Sequence, residues 1–185
     1  MTTMTRLIDF IYAALFAALT VVLGFVSIPL PFSPIPVSGQ SLGIMLAGSI
    51  LTTRQAVLSV LTFILIGAIG LPVFSGFAGG LSVVIGPRGG YYLGFLIGVA
   101  TIALLKGKNN NAWRLAFANC VGGIIFVYLF GVLWLSFITN IGIKEAFMVG
   151  ALPFLPGDLF KIFAATIIGI ILNKRLQKYN FVNKN

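Results

Sequence analysis

The sequence predicts an all-α membrane protein: a bundle of six transmembrane helices with ordered outer loops, in a single transmembrane domain covering residues 1–185. Of the 185 residues, 59% are hydrophobic and only 8% are charged, and the mean hydropathy is +1.10. A soluble domain of this size needs more polar surface than this composition supplies. Because one span takes about 20 residues, the chain has room for about six helices joined by short loops.

The charged residues predict how these helices are oriented. The chain has 12 basic and 3 acidic residues, and with six spans most basic residues fall on one side of the membrane. The residues on that side are Arg6, Arg54, Lys106, Lys108, Arg114, Lys174, Arg175, Lys178 and Lys184. Those at or near the other side are Arg88, Lys144 and Lys161. Because positive residues favour the cytoplasmic side, both termini are predicted to be cytoplasmic, and the net charge of +9 indicates topology rather than nucleic-acid binding.

The composition also limits the chemistry. There is no histidine and a single cysteine, Cys120, which argues against a metal site and a disulfide. No glycine-rich loop ends in Lys-Ser or Lys-Thr, so the sequence carries no ATP-binding motif of that type. An intramembrane enzyme needs a nucleophile with a base, paired carboxylates or a metal, and apart from Asp9 near the start of the first span only one carboxylate lies inside a predicted span. We therefore expect no catalytic residues and no cofactor.

The first span is predicted at about residues 7–27. It contains Ala13, Ala14, Ala17 and Ala18, which form two pairs of small residues on adjacent stripes of the helix. Such stripes let another helix approach closely. They fit either ordinary packing within the bundle or docking to another membrane protein, and the sequence favours neither.

A proline-rich loop and two further spans come next. Four prolines at positions 29–36 exclude a helix and favour a stiff, extended crossing that could cover a cavity. The second span is predicted at about 39–52, with a strip of small residues at every fourth position and Gln40 beside it. Residues 53–55 predict a tight polar turn, and the third span is placed at about 56–71.

Residues 72–90 are too glycine-rich for a regular helix and too apolar for a solvated loop. Irregular backbone at membrane depth is tolerated where it is buried in protein or lines a cavity. Arg88 lies among glycines here, so it is either a cation that a ligand can approach closely or a topogenic arginine at the interface. The fourth span follows at about 91–105, and a stripe of glycines continues into it.

The last two spans are predicted at about 115–138 and 154–172. The second of these contains Asp158 and Lys161, whose spacing of three places them on one face of a helix. Ionisable groups in a membrane span are costly and usually face the bundle interior, which favours a functional site. The alternative is an ion pair that only offsets its own burial cost.

Together these features predict one ligand site at the outer face. The charges of Arg88, Asp158 and Lys161 sum to +1, so a ligand with one negative charge would bring the site to neutrality. Asp158 also needs a donor group on the ligand. The predicted apolar walls are Phe32, Phe74, Phe77, Tyr91, Tyr92 and Phe160. We expect a small, mostly apolar carboxylic acid with a head that carries N–H groups.

Three motifs at these positions resemble the signatures of a known family. They are PVSGQ at 36–40, GPRGGY at 86–91 and PGDxxK at 156–161. In these motifs, and over nearly its whole length, the chain resembles BioY, the biotin-specific substrate-binding (S) component of energy-coupling-factor (ECF) transporters. The resemblance implies a multi-pass protein of the prokaryotic cell membrane, surrounded by lipid, that binds and takes up biotin. It also implies a complex with one transmembrane coupling (T) subunit and two ATP-binding subunits.

The resemblance further implies roles for single residues. Asp158 would accept hydrogen bonds from the ureido N–H groups of biotin, while Arg88 and Lys161 would hold its carboxylate. Gln40 and Tyr91 belong to the matching motifs. Ser75 is the nearest polar residue for a contact that the family makes after the third span, often through an asparagine. The four alanines of the first span match the motif by which such proteins dock to the coupling subunit.

Two alternative functions stay open at this stage. One is an S component for another small carboxylate-bearing vitamin. The other is a non-transport membrane assembly subunit whose charges serve only orientation and which binds no saturable ligand. Retention of a small molecule on purification separates a binding protein from an assembly subunit.

Overall fold

The computed structural model describes residues 3–107 and 110–182; Lys108 and Lys184, two of the basic residues counted for topology, lie outside these ranges. About three quarters of the described chain is helical. In chain order the elements are α1 (Thr3–Phe25), β1 (Ser27–Ile28), β2 (Val37–Ser38), α2 (Gln40–Ile50), α3 (Thr53–Ala68), α4 (Leu81–Ile85), α5 (Gly89–Leu105), α6 (Ala112–Cys120), a π-helical turn (Val121–Phe126), α7 (Val127–Thr139), α8 (Ile143–Gly150) and α9 (Leu155–Val182).

The described helices confirm the predicted all-α membrane fold. By length and composition, three of them can cross a membrane: Leu7–Phe25, Ala112–Thr139 and Leu155–Leu176. The helices α2, α3 and α5 are apolar but shorter, and α2 has only 11 residues. Because a perpendicular crossing needs about 20 residues, the map of six spans remains a prediction.

The polar turn predicted at residues 53–55 is wrong. Helix α3 begins at Thr53, because Thr52 caps it. The Thr52 hydroxyl accepts from the backbone N–H of Gln55 (3.4 Å), and the Gln55 side-chain oxygen accepts from the N–H of Thr52 (3.2 Å). This reciprocal pair satisfies two donors that the first helical turn leaves open, so polar residues here start a helix instead of interrupting one.

Two predicted connections contain short helices. α4 lies within the glycine-rich segment, because the apolar run between Gly80 and Gly86 is itself free of glycine. α8 occupies the connection before the last span and buries only Ala146 and Gly150. The prediction of irregular backbone at residues 72–90 is therefore wrong for α4, although the backbone around it is irregular as expected.

The proline-rich loop is closed at its base by β1 and β2. These two strands pair antiparallel, with Ser27 opposite Ser38 and Ile28 opposite Val37. The sequence predicted an extended crossing but not this pairing. The pairing returns the chain to the start of α2 and holds residues 33–38 beside α5 and α9.

The glycine stripe of α5 packs against the long helix formed by α6, the π-helical turn and α7. A Cβ added to Gly94 would lie 2.7 Å from Cα of Val127, and one added to Gly98 would collide with the carbonyl oxygen of Gly122 in the π-helical turn. Backbones can approach this closely only where side chains are absent. The predicted glycine stripe therefore lets α5 pack closely against this long helix.

The structure separates the two alanine stripes of α1. Ala13 and Ala17 are 2% and 5% exposed and face the bundle, where α1 packs on α2 and α3. Ala14 and Ala18 lie on the adjacent stripe, about 100° around the helix, and are exposed. Packing within the bundle therefore accounts for the first pair, and only the second pair is free to contact another protein.

Two basic side chains form hydrogen bonds between helix ends at the C-terminal end of α5. Lys106, directly after α5, donates from Nζ to the carbonyl oxygen of Leu51 at the end of α2. Arg114 donates from Nε to the carbonyl oxygen of Leu105 (2.7 Å). Burial lowers the pKa of Lys106 to about 8, because the charged ammonium is removed from water. These residues therefore have structural contacts in addition to any role in topology.

Candidate functional site

One cavity of about 60 Å³, here called the central cavity, brings together all six residues predicted to bind a ligand. It lies among α2, α5, α7, α9 and the two irregular segments. Its walls are formed by Ile35, Pro36, Ser38, Gln40, Ser41, Ser75, Arg88, Tyr91, Tyr92, Phe95, Val127, Tyr128, Phe154, Asp158 and Lys161. Pro36 lies just before α2 and Asp158 lies in α9, 122 positions later in the sequence. Both reach this cavity because α2 and α9 pack side by side.

Asp158 is the most enclosed charged group of the cavity. It lies in the first turn of α9, where the partial positive charge of the helix N-terminus favours a carboxylate. The residue is only 3% exposed. Its Oδ1 accepts from Ser41 Oγ (3.1 Å) and from Lys161 Nζ (2.7 Å), and its Oδ2 accepts from the Tyr128 hydroxyl.

Lys161 is fully engaged with the protein. Its ammonium lies 2.7 Å from Oδ1 of Asp158, 2.8 Å from Oγ of Ser41 and 2.8 Å from the carbonyl oxygen of Ser38. A lysine has three N–H donors, and these three acceptors use all of them. Lys161 therefore neutralises Asp158 and fixes its orientation, and no donor of Lys161 is left for a ligand while these bonds persist.

The carboxylate of Asp158 keeps one place for a further donor. A carboxylate offers about four acceptor positions, two on each oxygen. Ser41 and Lys161 occupy those of Oδ1, and Tyr128 occupies one on Oδ2. One acceptor position on Oδ2 is then unused. Because the Asp158 side chain lines the cavity, Asp158 can accept one hydrogen bond there from a ligand.

Arg88 is the other charge in the cavity, and it has no carboxylate partner among the residues that the structure describes. It precedes α5 and donates from Nε to the carbonyl oxygen of Pro34 (3.2 Å) and from Nη1 to that of Ser75 (3.0 Å). Of the three acidic residues, Asp9 pairs with Arg54, Asp158 pairs with Lys161, and Glu145 lies exposed on α8. The charge of Arg88 is therefore left for a ligand.

The other predicted site residues are polar groups buried at the wall. Gln40 is 2% exposed and donates from Nε2 to the carbonyl oxygen of Val73 (3.3 Å). Tyr91 donates its hydroxyl to the carbonyl oxygen of Gly150 (2.7 Å). The Ser75 residue is 4% exposed, and its backbone already binds Arg88. All three line the central cavity.

The predicted aromatic walls are only partly correct. Tyr91 and Tyr92 line the cavity, but the four predicted phenylalanines do not. Phe160 is 78% exposed, because it lies two residues from Asp158 and so on another face of α9. Phe74 is fully buried, where it packs on the rings of Phe63 and Tyr92. Phe32 and Phe77 are exposed, and Phe95 and Phe154 supply aromatic walls in their place.

Sequence reasoning missed Ser41 and Tyr128, the two hydroxyl groups on Asp158. Ser41 directly follows Gln40, the last residue of one of the motifs, which was a usable signal. Tyr128 lies in the middle of an apolar segment and carries no local signal, because only the rotation of α7 brings it to the cavity. Within residues 3–107 and 110–182, no group of three His, Cys, Asp or Glu side chains converges as a metal site would require.

Comparison with known proteins gives consistent matches over nearly the full chain. The family model described as the BioY family matches residues 1–178. The biotin transporter BioY of Thermotoga maritima is 41% identical over 165 residues, which are 89% of this chain and 95% of that protein. The biotin transporter BioY of Rhizobium etli is 38% identical over 170 residues, 87% of this chain and 90% of that protein. A crystal structure of the S-component for biotin from an ECF-type ABC transporter is similar in fold, with a TM-score of 0.86 and 33% identity over 94% of this chain and 95% of that chain.

Proposed function

Because this chain belongs to the BioY family, we propose that it binds biotin with high affinity and acts in biotin uptake as the substrate-specific S component of an ECF-type transporter. The named relatives are biotin transporters, and the similar crystal structure is that of an S-component for biotin. The chain is a membrane transport protein and not an enzyme. Biotin fits the expected ligand class, since it has one carboxylate, an apolar ring with sulfur and a ureido group with two N–H donors.

The observation that carries this proposal is the distribution of charge in the central cavity. Asp158 and Lys161 neutralise each other at 2.7 Å, which leaves the positive charge of Arg88 without an acidic partner in the described chain. A ligand with one carboxylate supplies that partner, and the desolvation cost of burying the ligand is then offset by a charge-assisted hydrogen bond. Biotin carries one such charge at neutral pH.

The hydrogen bonds of the cavity assign the ends of the ligand. The free acceptor position on Oδ2 of Asp158 takes one ureido N–H, and the guanidinium of Arg88 takes the carboxylate. Lys161, expected from the sequence to share the carboxylate, instead positions Asp158, since its three donors are already used. Ser75, Gln40 and Tyr91 supply polar wall groups between these anchors.

The test combines a protein change with a ligand change. Arg88→Ala removes the cation, and biotin amide removes the anion from the ligand. Losing one partner of a buried charged contact costs about 2–5 kcal/mol, or about 30- to several-thousand-fold in affinity. Wild type should therefore prefer biotin over its amide by that factor, and Arg88→Ala should discriminate between them by less than about tenfold.

Equal discrimination in wild type and Arg88→Ala would remove Arg88 from the carboxylate site. If wild type bound neither molecule, the identity of the ligand would be wrong, and the mass of any molecule that co-purifies in detergent would identify the correct one. If that molecule were a different carboxylate-bearing vitamin, the proposed roles of Arg88 and Asp158 would still apply. The absence of any saturable ligand would favour an assembly subunit.

We further propose that the chain works with a T subunit and two ATP-binding subunits, since its sequence contains no ATP-binding motif of its own. Ala14 and Ala18 are the docking residues, because they are exposed while the other alanine stripe of α1 is buried. Purification with the three partners should yield a complex that consumes ATP and takes up biotin. A chain that takes up biotin at the same rate without the partners would contradict this proposal.

The proposed topology is a single domain with six spans and both termini in the cytoplasm of a prokaryotic cell. The short helices α2, α3 and α5 then cross within a bundle whose neighbours cover their ends, and the proline-rich loop, α8 and the start of α9 lie at the outer face. A C-terminal reporter that is active only outside the cytoplasm should stay silent, and a strong signal would refute the map.

A further inference from the structure

A second, larger cavity lies beside the central cavity, and Arg88 is common to both. It has a volume of about 300 Å³ and is lined by Pro34, Ala78, Val83, Pro87 and Arg88. We name it the proline cleft. Apart from Arg88 its walls are apolar, and none of its other four residues lines the central cavity.

The two cavities differ in how much of a small molecule they can hold. Sites for small molecules usually have about 300–1,000 Å³, whereas 60 Å³ holds only a few water molecules. The central cavity in this form is therefore too small to admit a vitamin without a rearrangement. The proline cleft, an open groove of about 300 Å³, reaches the lower end of that range, so the apolar chain of a ligand can lie there before the central cavity opens.

Arg88 lies at the boundary between the two spaces. Its Nε binds the carbonyl oxygen of Pro34, which lines the proline cleft, and its Nη1 binds that of Ser75, which lines the central cavity. An arginine has five N–H donors, so these two bonds leave others for an anion. The guanidinium is thus held at the boundary by backbone and can still bind a carboxylate.

We propose that the proline cleft is an encounter site for small monocarboxylates with an apolar chain. The carboxylate binds Arg88, and the chain lies against the prolines and Val83 until the central cavity opens for the ring. This assignment deepens the function proposed above and, for biotin, rests on it. The carboxylate remains on one guanidinium throughout entry, so the cost of stripping water from the ion arises once and is offset by the same partner at each stage.

Trp134 provides the signal for a test. Its indole Nε1 donates to the carbonyl oxygen of Gly86 (2.9 Å), directly before Pro87 and Arg88. The other tryptophan, Trp113, is 85% exposed and distant in sequence, and Trp113→Phe removes its emission. In this background, fluorescence reports on the segment that carries Arg88.

The first measurement uses hexanoate alone. We expect a saturable change in Trp134 fluorescence with hexanoate and none with hexanamide, which has the same chain without the charge. Val83→Phe fills the proline cleft and should abolish the change, and Ala78→Leu should weaken it. Ile85→Phe is the matched control, because Ile85 lies on the same short helix, is 64% exposed and lines neither cavity.

The second measurement follows biotin by stopped flow in the same proteins. Val83→Phe should lower the association and dissociation rates together by about tenfold and leave Kd within about twofold, since it changes the route and not the end state. Ile85→Phe should match wild type.

These outcomes separate the two proposals. No response to hexanoate, or an equal response in Val83→Phe and Ile85→Phe, would overturn the encounter site. So would unchanged biotin rates in both cleft variants. A response to hexanoate without any binding of biotin would leave the encounter site standing and refute biotin as the ligand.

Discussion

Replacing Lys161 with methionine separates the contribution of the Asp158–Lys161 pair to folding from its contribution to binding. Methionine keeps the length and apolar stem of lysine but removes the ammonium. Asp158 then keeps its bonds from Ser41 and Tyr128 and loses its only cation. Adding Asp158→Asn to the same chain removes the remaining charge, so the double variant has two neutral groups where wild type has an ion pair.

The size of the effect follows from burial. Removing one partner of a buried ion pair costs about 3–5 kcal/mol. The side chains of Lys161 and Asp158 are 18% and 4% exposed, and two hydrogen bonds to Asp158 remain, so we expect the lower end, about 3 kcal/mol. The double variant should regain most of this stability, because no unpaired charge is left. Its affinity for biotin should stay low, since the carboxylate acceptor is lost.

Unfolding in mixed detergent–SDS micelles measures the stability, and equilibrium binding of biotin measures the affinity. Phe163→Met is the matched control, because Phe163 lies on the same helix and is 68% exposed. The reasoning would be refuted if Lys161→Met were as stable as the control. It would also fail if the double variant were no more stable than Lys161→Met, because the cost would then come from lost packing and not from an unpaired charge.

Three further predictions use other features of the structure. Tyr128→Phe removes one of three donors to Asp158 and should weaken biotin binding by about tenfold with little loss of stability; unchanged affinity would exclude Tyr128 from positioning the carboxylate. Replacing Ala14 and Ala18 with leucine should abolish partner-dependent uptake and preserve biotin binding, and full uptake would refute docking on that stripe. Because the pKa of Lys106 is about 8 in the folded state and about 10.5 when unfolded, the unfolded chain binds more protons between these values. Stability should therefore rise with pH in that window relative to Lys106→Met, and parallel pH profiles of the two proteins would contradict the burial of this ammonium.

The charged residues of the site could be predicted because they are rare in an apolar chain. A carboxylate such as Asp158 inside a membrane segment is costly unless it faces the interior, so its type alone indicates where it lies. The same reasoning applies to Lys161, at one turn's distance.

Aromatic residues gave no comparable indication. In a membrane protein, phenylalanine is equally stable against lipid and in the interior, so its presence does not reveal which side of a helix faces the cavity. Phe160 was predicted to line the site and is exposed, whereas Phe154 lines it. Tyr128 was missed for the same reason. Short helices such as α8 escaped prediction because their stability depends on contacts with α7 rather than on local sequence.

The π-helical turn Val121–Phe126 has a consequence for how this protein can change over evolutionary time. A π turn contains one residue more than an α turn, and one residue corresponds to about 100° of rotation around a helix axis. Because the wider turn absorbs that extra residue, deleting a single residue here would restore a regular α-helix and leave Tyr128 facing Asp158 while α6 kept its place. The turn thus lets the chain between α6 and α7 gain or lose one codon without changing which side chain of α7 meets Asp158.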